Sequence, residues 1–402
     1  MRWNPERSGR LGLLAAALVF WAAWISPTGA QGLTIQHENG SLTVNVLLQF
    51  RGVVAWADRS GPGDARDSWE SGFEVRRTEL ELSGWLFQKD VSYTLNWVGP
   101  DSHGGLELQK AHLDWGFTEG WRLRVGQFKD RVFHEENVPR EYQLAADRSV
   151  LNRLLGGGAS EYVQGVAALH QGQNLSLYIA AHDGAASMNT AFVDAAPASD
   201  VAELTNFGIS ARGEWRIKGN WKDYSDFSAR STVQDMLIVG IGADWTQGRF
   251  SYGLAQVSGD RVLATADLAC ELGESKFSLF AAVLLDWTSF GSASVVDQRT
   301  NWGCLVQAAV MLSNEWEVFA RYDLVRFDPD LIDPALSRWV SEITLGINHY
   351  LGKDGILGHK AKITFDLGFA PDGVPTALPK LGFPAASDGS CAYVRLQAQL
   401  LL

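Results

Sequence analysis

Residues 42–50 read Leu42-Thr43-Val44-Asn45-Val46-Leu47-Leu48-Gln49-Phe50, and apolar and polar side chains alternate along almost the whole stretch. Side chains that alternate with a period of two lie on opposite faces of a β-strand. The stretch therefore predicts a strand with one apolar and one polar face. The same alternation recurs at residues 91–97, 121–125, 316–324 and 361–367. The chain reads as a succession of amphipathic strands, which predicts an all-β fold.

Strand length separates a membrane barrel from a soluble β-sandwich, which would alternate in the same way. Soluble strands are usually about 5–6 residues long, whereas a tilted strand that crosses a bilayer needs roughly 9–11 residues. The alternating runs fit the longer class. Tryptophans lie within or at the ends of these runs, mostly on the apolar side, as an interfacial aromatic girdle requires. They are Trp85, Trp97, Trp115, Trp121, Trp215, Trp245, Trp287, Trp302, Trp316 and Trp339.

The connections favour a transmembrane antiparallel β-barrel of about 16 strands, in which short turns at one end alternate with long links at the other. The predicted strands lie near 42–56, 72–87, 90–99, 105–117, 121–128, 161–171, 173–183, 203–217, 233–246, 261–272, 275–289, 301–313, 315–328, 339–351, 358–370 and 390–402. Two links break the pattern: 218–232 is long where a short turn is expected, and 100–104 is short. Residues 249–257 also alternate, but bacterial barrels have even strand numbers, so we assign them to a loop.

The N-terminus predicts export. Arg2, Arg7 and Arg10 precede an apolar run at 11–25, and Thr28-Gly29-Ala30 supplies small residues for cleavage. This layout predicts a cleaved signal peptide at 1–30 and one barrel domain at 31–402, with an uncleaved N-terminal helix as the alternative. The net charge of −12 argues against a nucleic-acid partner. Three scattered cysteines predict neither a disulfide framework nor a zinc site.

The longest link, residues 129–160, is predicted to be the third extracellular loop. It carries Leu144, Val150, Leu151, Leu154 and Leu155. A loop with this apolar content would gain from packing on other apolar side chains. We expect it to fold into the barrel and to constrict a water-filled lumen, since 16 strands leave such a lumen open.

Four stretches resemble the phosphate-selective porin family of outer-membrane barrels (porin O and P type). They are residues 76–84 (RRTELELSG), 121–129 (WRLRVGQFK) followed by 147–149 (DRS), 342–351 (EITLGINHYL) and 395–399 (RLQAQ). The resemblance implies a 16-stranded homotrimeric porin in the outer membrane of a Gram-negative-type bacterium. It also implies that the third loop forms the constriction and that a basic lumen conducts anions, in some members preferentially phosphate.

Strand parity places nearly equal numbers of basic and acidic side chains on the inward face, so the charge count alone selects neither ion. The densest basic cluster is Arg122, Arg124, Lys129 and Arg131, and its replacement by Gln is expected to shift selectivity toward cations. The alternative is that these groups pair across strands and stiffen the wall. The candidate pore-lining residues are Arg122, Arg124, Lys129, Arg131, Arg148, Arg153, Arg77, Lys110, Lys360 and Lys362.

The sequence thus predicts a porin for passive diffusion of small hydrophilic solutes and ions, with phosphate and other anions as the solutes that the resemblance implies. Outer-membrane lipid and further copies of the chain are the expected partners, and we predict no catalytic residue, metal or cofactor. A general or cation-preferring porin is one alternative. A plugged barrel that serves as a surface binding or structural protein is another, and a hydrolase using His349 is a third.

Overall fold

The structure, a computed structural model, describes most of the chain after residue 31. The described residues are 32–58, 68–99, 105–156, 162–185, 187–189, 205–252, 255–291, 297–329, 337–374, 378–383, 386–387 and 389–402. The predicted signal peptide, residues 1–30, lies outside them. No helix within these ranges is long and apolar enough to cross a membrane.

Antiparallel strands make up most of the described chain. Their bounds are β1 (Leu33–His37), β2 (Gly40–Ala57), β3 (Ser68–Leu86), β4 (Gln88–Gly99), β5 (Glu107–Thr118), β6 (Trp121–Lys129), β7 (Tyr162–Gln171), β8 (Leu175–His182), β9 (Thr205–Lys218), β10 (Met236–Tyr252), β11 (Ala255–Leu272), β12 (Phe277–Phe290), β13 (Gln298–Met311), β14 (Trp316–Arg326), β15 (Trp339–Tyr350), β16 (Ala361–Ala370) and β17 (Cys391–Leu401).

The sheet closes on itself as a 16-stranded barrel. Each strand from β2 to β17 pairs with its neighbour in the chain, and β17 pairs with β2 from Leu401–Leu47 to Cys391–Ala57. This confirms the predicted fold class and strand number. The sequence did not predict β1, which pairs with the beginning of β2 on the edge that β17 occupies farther along.

Along β17 the barrel wall is apolar outside and polar inside, the reverse of a soluble protein. In β17, the apolar residues Val394 and Leu396 are 42% and 55% exposed, whereas the side chains of Arg395 and Gln397 are buried. Outward apolar residues are what a lipid-facing surface requires. The parity argument therefore assigned the two faces of this strand correctly.

Residues 249–252 and 255–257 were wrongly assigned to a loop. The ladder between β10 and β11 continues from Arg249–Ser258 to Tyr252–Ala255, so these residues belong to the ends of two long strands. The parity rule for strand number remains satisfied because they lengthen one hairpin and add no strand. Apolar and polar residues continue to alternate here because β10 and β11 remain paired.

A β-bulge in β3 brings two consecutive arginines to the inside of the wall. Gln49 pairs with Arg77, but the next residue of β2, Phe50, pairs with Val75. Arg76 is left without a partner on β2, and such an extra residue locally changes which side of the sheet a side chain faces. Strand parity had assigned only Arg77 to the inside.

The inward face of β10–β13 carries apolar residues, and residues 130–156 pack on them. This segment contains the short helix α1 (His134–Asn137), a 3-10 turn (Arg140–Tyr142) and a π turn (Asn152–Gly156). Its contacts lie on the inward side of the wall. The buried apolar cluster that it forms with the strands includes Phe133, Val150, Leu151, Leu155, Ile238, Leu263, Phe280, Leu284 and Leu305.

Candidate functional site

Two cavities lie along the side of the barrel formed by β3–β9. We call the end that carries the β3–β4 and β5–β6 turns the short-turn end. The larger cavity, of 920 Å³, reaches this end and is bordered by strand residues from β3–β9. The smaller, of 230 Å³, is bordered by residues from β3–β5, the 136–153 region, Tyr162 of β7, Met188, Lys380 and Leu381. Among the described residues, parts of 130–156, the β9–β10 connection and residues 378–383 belong to the buried apolar cluster beside these cavities.

The larger cavity is more basic than acidic, although the whole chain carries a net charge of −12. Its basic lining residues are Lys89, Lys110, Arg122, Arg124, Lys129 and Arg131, and its carboxylates are Glu81, Asp90, Asp114 and Glu214. Six cations thus face four anions. The fold therefore places an excess of basic side chains around this cavity, although the chain as a whole is acidic.

The smaller cavity has the same bias. Its basic lining residues are Arg76, Arg77, Arg140, Arg148, Arg153 and Lys380, and its carboxylates are Glu107, Glu136 and Asp147. Here six cations face three anions. Both cavities therefore favour an anion electrostatically, since clefts lined by one sign of charge attract the opposite ion.

Half of the predicted basic cluster is already paired within the protein. Arg124 donates two hydrogen bonds to Asp114, at 2.7 and 2.8 Å, and Lys129 donates to the carbonyl of Glu136 at 2.7 Å. Lys110 is paired as well, with Glu81 at 2.9 Å. For these residues the wall-pairing alternative describes the structure correctly.

Three other arginines have unpaired guanidinium groups as far as the described part of the chain is concerned. The side chains of Arg122, Arg131 and Arg153 make no hydrogen bond or ion pair with any residue that the structure describes. Burial and the neighbouring Arg124 lower the pKa of Arg131, and they outweigh the carboxylates of Glu214 and Asp114, which raise it. Two of these arginines border the larger cavity and Arg153 borders the smaller one.

Asp147 fixes residues 130–156 to the wall. Its carboxylate accepts hydrogen bonds from Arg51, Arg77 and Arg76, the last with donor–acceptor distances of 2.8 and 3.2 Å. Arg395 lies 3.8 Å away. Burial alone would raise the pKa of this carboxyl, but the surrounding arginines outweigh burial and hold the pKa well below its usual range.

An ion pair lies between the two cavities. Along β3, Arg77 borders the smaller cavity and Glu81 borders the larger one, so Glu79 stands between them. Arg140 pairs with Glu79 and also donates to Gln109 at 3.0 Å. Because Arg140 belongs to the 130–156 segment, this pair joins that segment to the wall at the boundary of the cavities.

One buried group resembles a metal site by its composition. Ligand atoms of Asp130, His182 and Asp244 lie within 4.8 Å of one another. However, the backbone N–H of Gly184 donates to His182 Nδ1 at 3.0 Å, so the imidazole proton resides on Nε2, which lies 3.0 Å from Asp244. A metal ligand needs a free lone pair at Nε2, and this arrangement does not provide one. Burial and Asp244 raise the pKa of Asp130 to about 6.

The sequence matches the family model of the phosphate-selective porins O and P over residues 49–284, more than half of the chain. The chain belongs to this porin family. Membership indicates an outer-membrane channel of Gram-negative bacteria rather than an enzyme. The histidine considered for a hydrolase, His349, stacks on Trp316 with ring centroids 4.1 Å apart.

Solved structures with the same fold are porins and channels. The anion-selective porin from Comamonas acidovorans is 12% identical, with a TM-score of 0.61 over 90% of this porin and 100% of that chain. OmpF of Salmonella typhi, in complex with daunomycin, and the outer membrane channel DcaP of Acinetobacter baumannii are each 11% identical, with TM-scores of 0.55 over 92% of this porin and 100% of theirs. At these identities the likeness concerns the fold. A comparison with curated protein sequences finds no significant match.

Most of the predicted pore-lining residues border one of the two cavities. Arg122, Arg124, Lys129, Arg131 and Lys110 border the larger, and Arg77, Arg148 and Arg153 the smaller. Lys360 and Lys362 border neither. Lys362 is buried and donates to the carbonyl of Gln143 at 2.8 Å, so it anchors the 130–156 segment.

Sequence analysis missed three basic residues at the smaller cavity. Arg76 was assigned to the outer face because parity ignores the bulge. Arg140 lies in the predicted third loop but was not among the candidate residues, and Lys380 lies in the β16–β17 connection, where no periodicity assigns a direction. The adjacent Arg76-Arg77 pair was the one available signal, since two consecutive charges in a strand suggest an irregularity.

Proposed function

We propose that this porin conducts small anions by passive diffusion through the two cavities, with anions favoured over cations and inorganic phosphate among the solutes. The observation that carries the proposal is the excess of basic side chains at both cavities of an acidic chain. The description of the Comamonas acidovorans porin as anion-selective agrees with this assignment.

The free arginines are the groups that act on a passing ion. A guanidinium without a carboxylate partner keeps its full positive charge, and its planar fork suits the oxygens of phosphate. Arg153 would meet the anion on the side of the smaller cavity, and Arg131 and Arg122 on the side of the larger one. Paired residues such as Arg124 contribute little net field, because the carboxylate of Asp114 offsets their charge.

Residues 130–156 form the constriction in this proposal. The segment is attached to the wall by the Arg140–Glu79 ion pair, which lies at the boundary of the cavities. It is attached a second time by the arginines that pair with Asp147. A solute that crosses from one cavity to the other would pass beside the Arg140–Glu79 pair. The expected constriction loop of 129–160 extends beyond the described residues at its end, at 157–160.

The predicted assembly and export belong to the same proposal. We propose a homotrimer surrounded by outer-membrane lipid and exported by the signal peptide at 1–30. The description of Vibrio cholerae OmpT, which shares the fold, mentions a trimer form. Chemical cross-linking of the purified protein in detergent should give a ladder that ends at three copies, and a ladder that ends at one copy would contradict the trimer.

The proposed selectivity is tested by the zero-current potential of the refolded protein in a planar bilayer under a potassium chloride gradient. An anion-selective sign is expected, and added phosphate should reduce the chloride current by competing for the free arginines. A cation-selective sign would keep the porin but refute the anion preference. Absence of channels in a correctly folded preparation would favour the plugged-barrel alternative.

A further inference from the structure

The connection between β9 and β10 is unusual for its place in the barrel. Residues 219–235 lie at the short-turn end, where the neighbouring connections are tight, yet they form a long segment with a 3-10 turn at Asp223–Ser225. Tyr224, Phe227 and Ala229 of this segment are only 5%, 5% and 0% exposed. A turn that simply joined two strands at the rim would not bury such residues.

The connection meets the 130–156 segment inside the barrel. The ring of Tyr224 stacks on His134 with centroids 3.7 Å apart, and His134 Nε2 lies 3.0 Å from the Tyr224 carbonyl oxygen. Farther along, the N–H of Phe227 donates to the Tyr142 carbonyl at 3.3 Å. The two segments enter from opposite ends of the barrel, so these contacts place them against each other within it.

The same connection also binds the wall. The Tyr224 hydroxyl lies 2.8 Å from Arg212 and 3.0 Å from Asp267. The N–H of Ala229 donates to Glu317 at 2.7 Å, and Ser228 Oγ lies 3.0 Å from His359 Nε2. Arg212 belongs to β9, and the other partners belong to β11, β14 and the turn before β16, so the connection extends from the edge of the larger cavity to the side of the barrel away from it.

We propose that residues 219–235 are a second constriction element, which enters from the short-turn end and confines solutes to the β3–β9 side. Two observations agree with this role. All strand residues that border the larger cavity come from β3–β9, and Trp221, Tyr224 and Ser225 border the same cavity from its other side. The connection thus supplies one wall of the path and also positions His134 of the 130–156 segment. The inference rests on the proposed path through the cavities.

The decisive variant replaces residues 221–233 by a short glycine-containing turn. Single-channel conductance should rise, by at most roughly twofold, because the space that the connection fills would open while residues 130–156 stay in place. The preference for anions should fall at the same time, since ions could pass farther from Arg122 and Arg131. Heat-modifiable migration in gels and β-sheet circular dichroism establish that the variant has folded. A folded variant with unchanged conductance and zero-current potential would overturn the inference.

A milder pair of substitutions serves if the shortened chain does not fold. Tyr224→Ala with Phe227→Ala removes the rings that contact His134 and Phe280 but keeps the backbone length. We expect conductance to rise in the same direction and by less. Val233→Ala is the matched control, because Val233 belongs to the same connection and is 83% exposed, and its conductance should equal that of the natural protein. Conductance of the double variant equal to that of the control would overturn the inference.

These outcomes are separable from those of the proposed function. If the natural protein is anion-selective and the shortened variant conducts no better, only the role of the connection is refuted. If the natural protein is cation-selective and the shortened variant conducts more, the anion preference is refuted and the confining role stands.

Discussion

Neutralising the free arginines should weaken anion selectivity. The variant Arg122→Gln with Arg131→Gln removes two of the six cations at the larger cavity and leaves its four carboxylates in place. The described lining would then be electrically balanced. Since neither guanidinium has a hydrogen-bond or ion-pair partner among the described residues, the substitutions leave no carboxylate newly unpaired.

The size of the effect follows from Coulomb's law. A unit charge changes the energy of an ion at 4 Å in water by about 1 kcal/mol, and we take about half of that for ions that pass farther away. Two charges then change the energy of an anion by about 1 kcal/mol and that of a cation equally with opposite sign. The permeability ratio should therefore change by about 2 kcal/mol, or roughly 30-fold.

The assay is the zero-current potential under a potassium chloride gradient at low salt, repeated at high salt. The effect should shrink at high salt, where the Debye length falls from about 10 Å at 0.1 M to about 3 Å at 1 M. The matched control is Arg124→Gln with Asp114→Asn, which also removes a cavity cation but as part of an ion pair. A double variant of the free arginines with the same potential as this control would refute the reasoning.

Three further predictions concern the constriction. Asp147→Asn should destabilise the protein by about 3–5 kcal/mol, because buried arginines lose their shared carboxylate; an unchanged urea midpoint in detergent would contradict this. His134 has its pKa lowered by burial from 6.5 to about 4, so the stability that it contributes is complete above pH 6.5 and is lost as the pH falls to 4, by about 3 kcal/mol in total. His134→Gln should flatten the dependence of melting temperature on pH in that window. Glu79→Gln removes one negative charge beside Arg140 and should raise anion selectivity, whereas an unchanged zero-current potential would place this pair outside the path.

Periodicity predicted the barrel well, because side chains along each strand alternate between the lipid-facing side and the inward side of the wall. Each strand from β2 to β17 has a counterpart among the predicted strands, and the faces of β17 are as expected. The alternation failed to give direction where the pairing is irregular, as at Arg76, because one extra residue reverses parity locally. It also failed in the middle of β12, where the inward residues Phe280, Ala282 and Leu284 are apolar because they belong to the cluster that packs against residues 130–156.

The candidate site was less accessible to sequence reasoning. Composition balanced inward cations against anions, and the bias appears only when the interior is divided between the cavities and the packed segments. Pairing could not be foreseen either, because Lys129 finds its partner, the Glu136 carbonyl, within the connection rather than across the sheet. The anomalous length of the 218–232 link was visible in the sequence, but nothing in it indicated that Tyr224 would reach His134.

The partners of Asp147 have a consequence for the order of assembly. Arg51 and Arg395 lie on β2 and β17, the two strands whose pairing closes the barrel. The Asp147 carboxylate can interact with arginines of both strands only after β2 and β17 have paired. In a barrel that has not yet closed between β2 and β17, residues 130–156 would therefore be held less firmly. Closure of the barrel and fixation of the constriction would then occur in one step. Selectivity in this porin would then be acquired at the last step of its insertion into the membrane.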